Sequence, residues 1–256
     1  MNARELTDQI AAKLAAEVQR NGDIIPYIAE DGVYKTDMRQ KNLSWWTNGF
    51  WAGLLWQMYH AVGVAEFKAT AEKTEGWLDE AMADFTGLHH DVGFMWMLSA
   101  VADYRLTGNE KSRIRAMHAA TLLAGRYNPN GRFLRAWNGD KTGWMIVDCL
   151  MNLSLLYWAS DETGDPRYAE IAQNHADTAL RVLLRPDGSC NHIAVLNPVT
   201  GELTGAPAGQ GYAPGSSWSR GQSWAVYGFA LSAKHTGEAR YLEAAKRSAH
   251  YFIANA

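Results

Sequence analysis

The feature that most constrains the fold is an alternation of two kinds of helical segment along the chain. Segments 48–61, 92–106, 144–160 and 220–235 are apolar nearly all round, which is typical of buried helices. The segments that follow them are amphipathic, which is typical of surface helices. No segment shows a sustained strand alternation, so the pattern predicts an all-α protein with inner and outer helices. The nine predicted helices are 3–20, 48–61, 65–84, 92–106, 110–126, 144–160, 166–184, 220–235 and 238–255.

Short Thr-Gly turns connect inner helices to the outer helices that follow them. They are T-G-N-E at 107–110, T-G-D-P-R-Y at 163–168 and T-G-E-A-R-Y at 236–241, and Gly63 marks the same position one hairpin earlier. Glycine commonly ends a helix, and an acidic residue or proline commonly begins one. Because no single hairpin can bury its apolar face alone, repeated hairpins predict a helical toroid or a solenoid.

The longer connections, 21–47, 84–91, 127–143 and 185–219, all lead into the beginnings of inner helices. Binding residues concentrate on long loops at one rim of a rigid scaffold. Each rim cluster places tryptophan beside polar groups, an arrangement that suits the apolar faces and polar edge of a sugar ring. The clusters are L-S-W-W-T-N-G-F-W (43–51), H-H-D-V-G-F-M-W (89–96), R-A-W-N-G-D-K-T-G-W-M-I-V-D (135–148) and G-Q-G-Y-A-P-G-S-S-W-S-R-G-Q-S-W (209–224).

Tryptophans in this chain have two interpretations. Trp45, Trp137, Trp218 and Trp224 lie in or beside rim loops and are candidates for lining a sugar site, with core packing as the alternative. Core packing is what we expect of three tryptophans on predicted helices, Trp56, Trp77 and Trp158.

Asp148 is an acidic residue inside the almost wholly apolar run G-W-M-I-V-D-C-L-M-N-L, 143–153. If a helix covers 144–160, Thr142 is the better N-cap and Asp148 lies more than one turn inside, sharing a face with Asn152. A carboxyl group in apolar surroundings has a raised pKa, which suits acid catalysis. The alternative is a structural ion pair with a rim cation, either Arg135, Lys141 or Arg220.

Asp91 is the second candidate carboxylate. It opens a predicted helix, so N-capping is an alternative to a role in an active site. Metal binding by His89, His90 and Asp91 is a weaker hypothesis, because adjacent histidines point in different directions and no second ligand set has recognisable spacing. We therefore expect no metal and no other cofactor, and Cys149 is better explained as a small core residue than as a nucleophile.

Composition excludes several functional classes. The 256 residues carry a net charge of −3 with no Lys/Arg-rich run, which argues against nucleic-acid and membrane-surface binding. The two cysteines, Cys149 and Cys190, are too few for a disulfide framework, and no apolar stretch resembles a signal peptide or membrane span. The expectation is a soluble, cytoplasmic protein with a single domain over 1–256.

Four motifs together resemble the unsaturated glucuronyl hydrolases, a glycoside hydrolase family with an (α/α)6 barrel of six helical hairpins. They are W-T-N-G-F-W-A-G-L-L-W, H-D-V-G-F-M-W, G-W-M-I-V-D-C-L-M-N-L and S-W-S-R-G-Q-S-W-A-V-Y-G, and the likeness covers the whole chain. The resemblance implies that Asp148 is the general acid and base and that Asp91 is a second essential carboxylate that holds sugar hydroxyls. It also implies that the residues around the sugar are Trp45, His192, Gln210, Trp218, Arg220 and Trp224, with Trp137 as a looser match.

The resemblance implies hydration of a vinyl ether rather than ordinary glycoside hydrolysis. Polysaccharide lyases leave a C4=C5 double bond on the terminal uronic acid, and such unsaturated oligosaccharides, glycosaminoglycan fragments among them, would be the substrate. Unsaturated rhamnogalacturonyl hydrolase activity is one alternative, and a non-catalytic scaffold that binds carbohydrate is another. A full barrel has twelve helices, so we expect the last C-terminal helices to be missing and the open edge to permit self-association.

Overall fold

The computed structural model describes residues 2–255 and contains helices connected by loops with short strands. None of the helices in this range is long and apolar enough to cross a membrane. The helices are α1 (Ala3–Asn21), α2 (Met38–Lys41), α3 (Asn48–Val62), α4 (Ala65–Asp84), α5 (Val92–Leu98), α6 (Ala100–Thr107), α7 (Glu110–Ala124), α8 (Cys149–Thr163), α9 (Arg167–Val182), α10 (Ser219–Thr236) and α11 (Ala239–Asn255). The strands are β1 (Ala29–Glu30), β2 (Val33–Tyr34), β3 (Tyr127–Asn128), β4 (Phe133–Leu134), β5 (Trp144–Ile146), β6 (Ile193–Leu196) and β7 (Leu203–Gly205).

Seven of the nine predicted helices agree with the structure to within two residues at each end. The predicted helix 92–106 is divided into α5 and α6 at Ser99, whose hydroxyl donates a hydrogen bond of 2.6 Å to the Met95 carbonyl oxygen. Such bonding of serine to the preceding turn bends helices. The predicted helix 144–160 is wrong at its beginning, because its first residues form β5 and α8 begins only at Cys149.

Glycine ends the inner helices as the Thr-Gly turns predict. Gly164 and Gly237 close α8 and α10 with φ of 70° and 72°, and their N–H groups donate to the carbonyl oxygens of Ser160 and Ala233. A side chain at such a φ is strained, which is why glycine is favoured there. Gly63 and Gly108 end α3 and α6 in the same way.

The chain divides into two compact units. The first contains the residues through Leu88 together with Phe94–Ala119, and the second contains His89–Gly93 together with the residues from Ala120 onward. In the first unit α3 packs against α4, and its core contains Leu55, Trp56 and Phe67, all fully buried. Trp77 departs from the core-packing expectation, because it is only half-buried and lies under the guanidinium of Arg39 at 4.7 Å.

In the second unit α8 packs against α9 and α10, and α10 packs against α11. Trp158 is buried on α8 as expected. Gly228 allows α10 to approach α8 closely, since a Cβ atom there would lie 2.4 Å from Leu150 Cβ. The strands β5, β6 and β7 form an antiparallel sheet in which Trp144, Met145 and Ile146 pair with Val195, Ala194 and Ile193. This sheet and the beginning of α8 position the candidate site.

Candidate active site

Asp148 occupies the junction between β5 and α8. The preceding residue, Val147, donates its N–H to the carbonyl oxygen of His192 at 3.0 Å, which continues the pairing between β5 and β6. The prediction that Asp148 lies inside a helix is therefore wrong, as is the assignment of Thr142 as N-cap. Asp148 itself is the N-cap residue, but its side chain makes no capping hydrogen bond. The prediction failed because the partner strand comes from a distant loop, which helical periodicity does not reveal.

The Asp148 carboxyl group faces the imidazole of His192. Its Oδ2 atom lies 3.4 Å from His192 Nε2, and the Asp148 side chain is 14% exposed. Oδ2 is buried and makes no hydrogen bond with any of residues 2–255. Catalytic hydrogen bonds are often long before substrate binds, so a loose contact of this kind is compatible with a role in catalysis.

His192 has a defined orientation and tautomer. The backbone N–H of Gln210 donates to its Nδ1 atom at 3.0 Å, so Nδ1 is an acceptor and the neutral ring carries its proton on Nε2. That proton points toward Asp148. Gly209 makes this contact sterically possible, since a Cβ atom there would lie 2.0 Å from His192 Nδ1.

The three rim cations proposed as ion-pair partners of Asp148 have other contacts. Arg135 donates to the Gly139 carbonyl oxygen at 2.7 Å, and Lys141 lies 3.9 Å from Asp140. Arg220 donates to Gln210 Oε1 at 2.8 Å. Within residues 2–255 the Asp148 carboxyl group lies against the imidazole of His192, which favours a functional interpretation of the carboxyl group over a structural ion pair.

Asp91 immediately precedes α5 and is buried among polar groups. His90 Nε2 lies 3.3 Å from its Oδ1 atom, and His89 Nδ1 lies 3.5 Å from its Oδ2 atom. Burial, and then the charge of Asp148, raise the pKa of Asp91 to about 8, while a hydrogen bond from Asn152 and the charge of Arg126 oppose the rise. Asp91 is therefore mostly protonated at neutral pH, and the electrostatic effect of Asp148 couples the two carboxyl groups.

His90 is a buried neutral imidazole. Burial, followed by the charges of His89 and Arg126, holds its pKa well below the usual range. Asn152 Nδ2 lies 3.2 Å from His90 Nδ1. Because an amide nitrogen can only donate, Nδ1 is the acceptor and Nε2 carries the proton that faces Asp91.

The trio of His89, His90 and Asp91 brings candidate metal-ligand atoms within 4.8 Å of one another. For His90, however, the hydrogen bond from Asn152 leaves the proton on Nε2, the nitrogen that faces Asp91. A metal ligand must offer a lone pair at that position. In His90 the nitrogen nearest Asp91 is therefore an N–H donor rather than a free metal ligand.

Arg220, Trp218, Gln210 and His192 form one continuous cluster. The Arg220 guanidinium lies 4.3 Å from the centre of the Trp218 ring, and the Trp218 and His192 rings are 4.6 Å apart. Gln210 joins the two ends, since its N–H donates to His192 and its Oε1 accepts from Arg220. Arg220 and Gln210 are exposed and Trp218 is half-buried, so the cluster offers a cation and an aromatic surface beside Asp148.

The other predicted tryptophans lie in different surroundings. Trp137 is half-buried and packs at 5.6 Å against Trp144 on β5. Trp224 lies one helical turn after Arg220 on α10, so the two side chains share a face. Trp45 belongs to the first unit, where its ring meets the Tyr27 ring edge-on at 6.0 Å. All the predicted site residues except Trp45 thus belong to the second unit.

Arg126 is a residue that the sequence analysis did not identify. Its guanidinium donates to the carbonyl oxygens of Arg135 and Ala136 and to Asn138 Oδ1. Burial lowers the pKa of Arg126 to about 10, and its charge acts on Asp91, His89 and His90. Nothing in its sequence surroundings signals this role, because its partners come from the following loop. Cys149 is fully buried, as expected for a core residue.

The sequence of the chain is similar to that of a known enzyme family and of its characterised members. The sequence profile of Glycosyl Hydrolase Family 88 matches residues 21–255. An unsaturated glucuronyl hydrolase of Bacillus sp. (strain GL1) is 38% identical over 245 residues, which cover 94% of this chain and 64% of that protein. An unsaturated chondroitin disaccharide hydrolase of Streptococcus pyogenes serotype M1 is 38% identical over 212 residues, which cover 81% of this chain and 53% of that protein.

The fold of the chain is also similar to that of a solved structure. The crystal structure of the unsaturated glucuronyl hydrolase from Bacillus sp. GL1 superposes with a TM-score of 0.90 at 36% identity, covering 96% of this chain and 66% of that chain. This agreement confirms the prediction of an all-α fold built from helical hairpins. The chain spans roughly half to two thirds of the length of the curated relatives that it matches.

Proposed function

Because the chain belongs to Glycosyl Hydrolase Family 88, we propose that it acts on unsaturated uronyl oligosaccharides released by polysaccharide lyases. The names of the relatives, unsaturated glucuronyl hydrolase and unsaturated chondroitin disaccharide hydrolase, support glycosaminoglycan fragments as the source of substrate. The observation that carries the proposal is the pair of coupled carboxyl groups, Asp91 and Asp148, each of which faces a buried imidazole N–H.

The proposed reaction is hydration of the C4=C5 bond. A carboxyl group donates a proton to C4, which leaves an oxocarbenium-like cation at C5. Water adds to C5 and returns one proton to the carboxylate, so the proton balance closes. The resulting C5 hemiketal opens, and the C1 hemiacetal then expels the neighbouring sugar. The anomeric carbon is not attacked, so the rule that relates carboxylate separation to stereochemical outcome does not apply.

We assign the proton transfers to Asp148. The Asp148 side chain is 14% exposed, and its buried Oδ2 atom makes no hydrogen bond with any of residues 2–255, so no protein hydrogen bond competes for its proton. Asp91, with its pKa raised to about 8, presents a neutral carboxyl group that can hydrogen-bond to sugar hydroxyls. A neutral Asp91 also reduces repulsion between the site and the carboxylate of the substrate.

Substrate binding is assigned to the cluster around Trp218. Arg220 supplies a planar cation for the uronate carboxylate, and Gln210 fixes the orientation of the guanidinium. Trp218 and Trp224 offer aromatic faces to the sugar, with Trp137 and Trp45 as further candidates. His192 supplies an N–H close to Asp148.

The test is incubation with lyase-generated disaccharides, followed by the conjugated ultraviolet band of the C4=C5 bond. Hydration removes the band, whereas binding without turnover leaves it intact and would establish the non-catalytic scaffold alternative. Parallel incubation with unsaturated rhamnogalacturonan fragments tests the rhamnogalacturonyl alternative. Loss of the band with those fragments alone would overturn the glucuronyl assignment.

Three further proposals accompany this activity. We propose that residues 1–256 belong to a single catalytic domain, that the protein works in the cytoplasm, and that this chain self-associates through exposed apolar surface. In the first unit, a groove of 390 Å³ supports the proposal of self-association. It is lined by Leu14, Tyr27, Trp46, Phe50 and Leu54, among others.

A further inference from the structure

Asn152 is a fully buried amide on the first turn of α8, and both of its N–H groups have acceptors. One faces His90 Nδ1, which lies 3.2 Å from Asn152 Nδ2. The other is donated to the Asp91 carboxyl group, where the hydrogen bond opposes the rise of the Asp91 pKa. If the amide were reversed, its oxygen would face both acceptors. The two contacts together define the orientation of the amide when His90 Nδ1 carries no proton and the Asp91 oxygen that faces Asn152 is the unprotonated one.

Gly93 leaves the space that the Asn152 side chain occupies. A Cβ atom on Gly93 would lie 2.4 Å from Asn152 Oδ1 and 2.5 Å from its Cβ atom. The segment His89–Gly93 can therefore approach α8 closely enough for the amide to reach the residues before α5. A hydrogen bond also fixes the main chain of this segment, since the His90 N–H donates to the Ala136 carbonyl oxygen at 3.3 Å.

We propose that Asn152 is a positioning residue that fixes the tautomer of His90 and the orientation of Asp91. Its amide occupies His90 Nδ1 as a donor, so the imidazole proton lies on Nε2, 3.3 Å from Asp91 Oδ1. The buried imidazole is neutral, so this proton is its only one. Asn152 thus keeps an N–H, rather than a lone pair, in front of the carboxyl group.

The second carboxyl group has the same arrangement built from different parts. There the backbone N–H of Gln210 occupies His192 Nδ1, and Nε2 faces Asp148. In both pairs a hydrogen-bond donor to Nδ1 of the histidine leaves the proton of the neutral ring on Nε2, which faces the carboxyl group. Asn152 donates with its side chain whereas Gln210 donates with its backbone, so a substitution that keeps the backbone N–H can remove only the first donor.

Nuclear magnetic resonance of ¹⁵N-labelled histidine tests the tautomer directly. In the unsubstituted protein we expect His90 to be protonated on Nε2, with its signal identified by its loss in His90→Gln. Asn152→Asp places an acceptor at His90 Nδ1, so the proton should move to Nδ1. Ser154→Ala, which alters another buried polar side chain on α8, is the matched control and should leave the tautomer unchanged.

Two outcomes of this experiment overturn the proposal. One is protonation of His90 on Nδ1 in the unsubstituted protein, which requires no variant to be folded. The other is an unchanged tautomer in a folded Asn152→Asp variant. The tautomer does not depend on turnover, so this experiment remains decisive even if the proposed hydration activity fails.

The effect of Asn152 on catalysis rests on the proposed function, and the pH profile of kcat/KM measures it separately from the tautomer. Asn152→Ala removes the donation that lowers the Asp91 pKa, so the limb of the pH profile of kcat/KM that reports Asp91 should move to higher pH. His89, His90, Arg126 and Asp148 also face Asp91 and stay in place. We expect kcat to fall roughly 10- to 100-fold, as for loss of a residue that orients a catalytic group, with KM changed little.

A structural role alone would give a different result for Asn152→Ala. It would lower the melting temperature and the fraction of active protein but leave the pH profile in place. An unshifted profile in folded Asn152→Ala, with Ser154→Ala behaving as the unsubstituted protein, would therefore overturn the positioning role. If Asn152→Ala does not fold, the profile of Asn152→Asp decides, since an unshifted limb there also contradicts the proposal.

Discussion

His192 presents to Asp148 the ring nitrogen opposite the one that accepts the Gln210 N–H. The two contacts measure 3.4 Å and 3.0 Å, and they lie at the two ends of one buried imidazole. The loop that carries Gln210 thereby determines the hydrogen-bonding character of the side chain that faces the carboxyl group. This relationship makes Asp148 and its surroundings the first target for substitution.

Asp148→Asn should reduce turnover by several powers of ten while the protein stays folded. The amide keeps the shape of the carboxyl group but can neither donate an acidic proton nor accept one from water. Loss of the conjugated ultraviolet band measures turnover, and circular dichroism measures folding. Asp140→Asn is the matched control, since Asp140 is 89% exposed on the preceding loop. Near-normal turnover in folded Asp148→Asn would contradict the assignment.

Arg220→Lys should lower kcat/KM roughly 10- to 100-fold, because lysine lacks the planar fork that bonds Gln210 and stacks on Trp218. Arg240→Lys provides the control. Arg240 also stacks on an aromatic ring, that of Tyr241, and also forms a polar contact, with Asp177. Equal kinetics in the two variants would reduce Arg220 to a structural cation.

Asp91 should make the protein less stable as pH rises. Its pKa is raised from 3.8 to about 8 by burial and the charge of Asp148, so the folded state binds the proton more tightly than the unfolded state. The stability that this proton contributes is fully present below about pH 4 and is lost as pH rises toward about 8. Asp91→Asn, which is neutral throughout, should therefore gain stability relative to the unsubstituted protein between about pH 5 and 9.

Urea denaturation at those two pH values measures this difference. Asp84→Asn, which changes an exposed carboxylate at the end of α4, is the control and should show no such gain. A stability difference between Asp91→Asn and the unsubstituted protein that is independent of pH would show that the Asp91 carboxyl group does not retain its proton on folding.

Glu75 in the first unit should behave in the same way. Ser112 Oγ contacts both Glu75 Oε2 at 2.8 Å and Asp103 Oδ2 at 2.5 Å, but a hydroxyl can donate only one proton. Burial raises the pKa of Glu75 to about 7, so a protonated Glu75 can donate to Ser112, which then donates to Asp103. Glu75→Gln reproduces that pattern, because its amide can donate to Ser112 and still accept from Trp56 Nε1.

We therefore expect Glu75→Gln to raise the melting temperature above about pH 7 and to change it little near pH 5. Differential scanning calorimetry across this range gives the answer. Glu80→Gln, on an exposed position of the same helix, is the matched control. A destabilised Glu75→Gln at high pH would mean that the ion pair with Arg115 outweighs the cost of burying the Glu75 charge.

The 390 Å³ groove of the first unit should promote self-association in this chain. Leu54 lines it and is 56% exposed, so Leu54→Ser should weaken association, whereas Leu203→Ser, at a leucine 48% exposed on β7, should not. Sedimentation velocity reports the oligomeric state. A chain that stays monomeric across the concentration range would refute this expectation.

Helix positions were predictable because the residues that determine a helix lie within the helix itself and at its ends. Periodicity and Thr-Gly turns set α3, α4, α9 and α10 to within two residues at each end. The strands were not predictable, since β5 depends on pairing with β6 from a loop that follows a whole helical hairpin. That nonlocal pairing moved Asp148 from the predicted helix interior to its N-cap.

The candidate carboxylates could be identified from their unusual surroundings, but their partners could not. Asp148 is conspicuous as an acidic residue in an apolar run, and a tryptophan-rich rim indicates a sugar site. His192 and Gln210 lie in loops without periodicity and were identified only by resemblance to a family. Arg126 was missed because it acts through carbonyl groups of residues 135 and 136.

The pairing of β5 with β6 has a consequence for the order of events during folding. The helical hairpins join neighbouring stretches of chain, whereas Ile146 and Ile193, which lie on either side of α8 and α9 in the sequence, must meet before Asp148 and His192 can face each other. Contacts between distant stretches form more slowly than local ones because closing a long loop costs chain entropy. On refolding from urea, the far-ultraviolet helical signal should therefore return first, and catalytic competence should lag behind it.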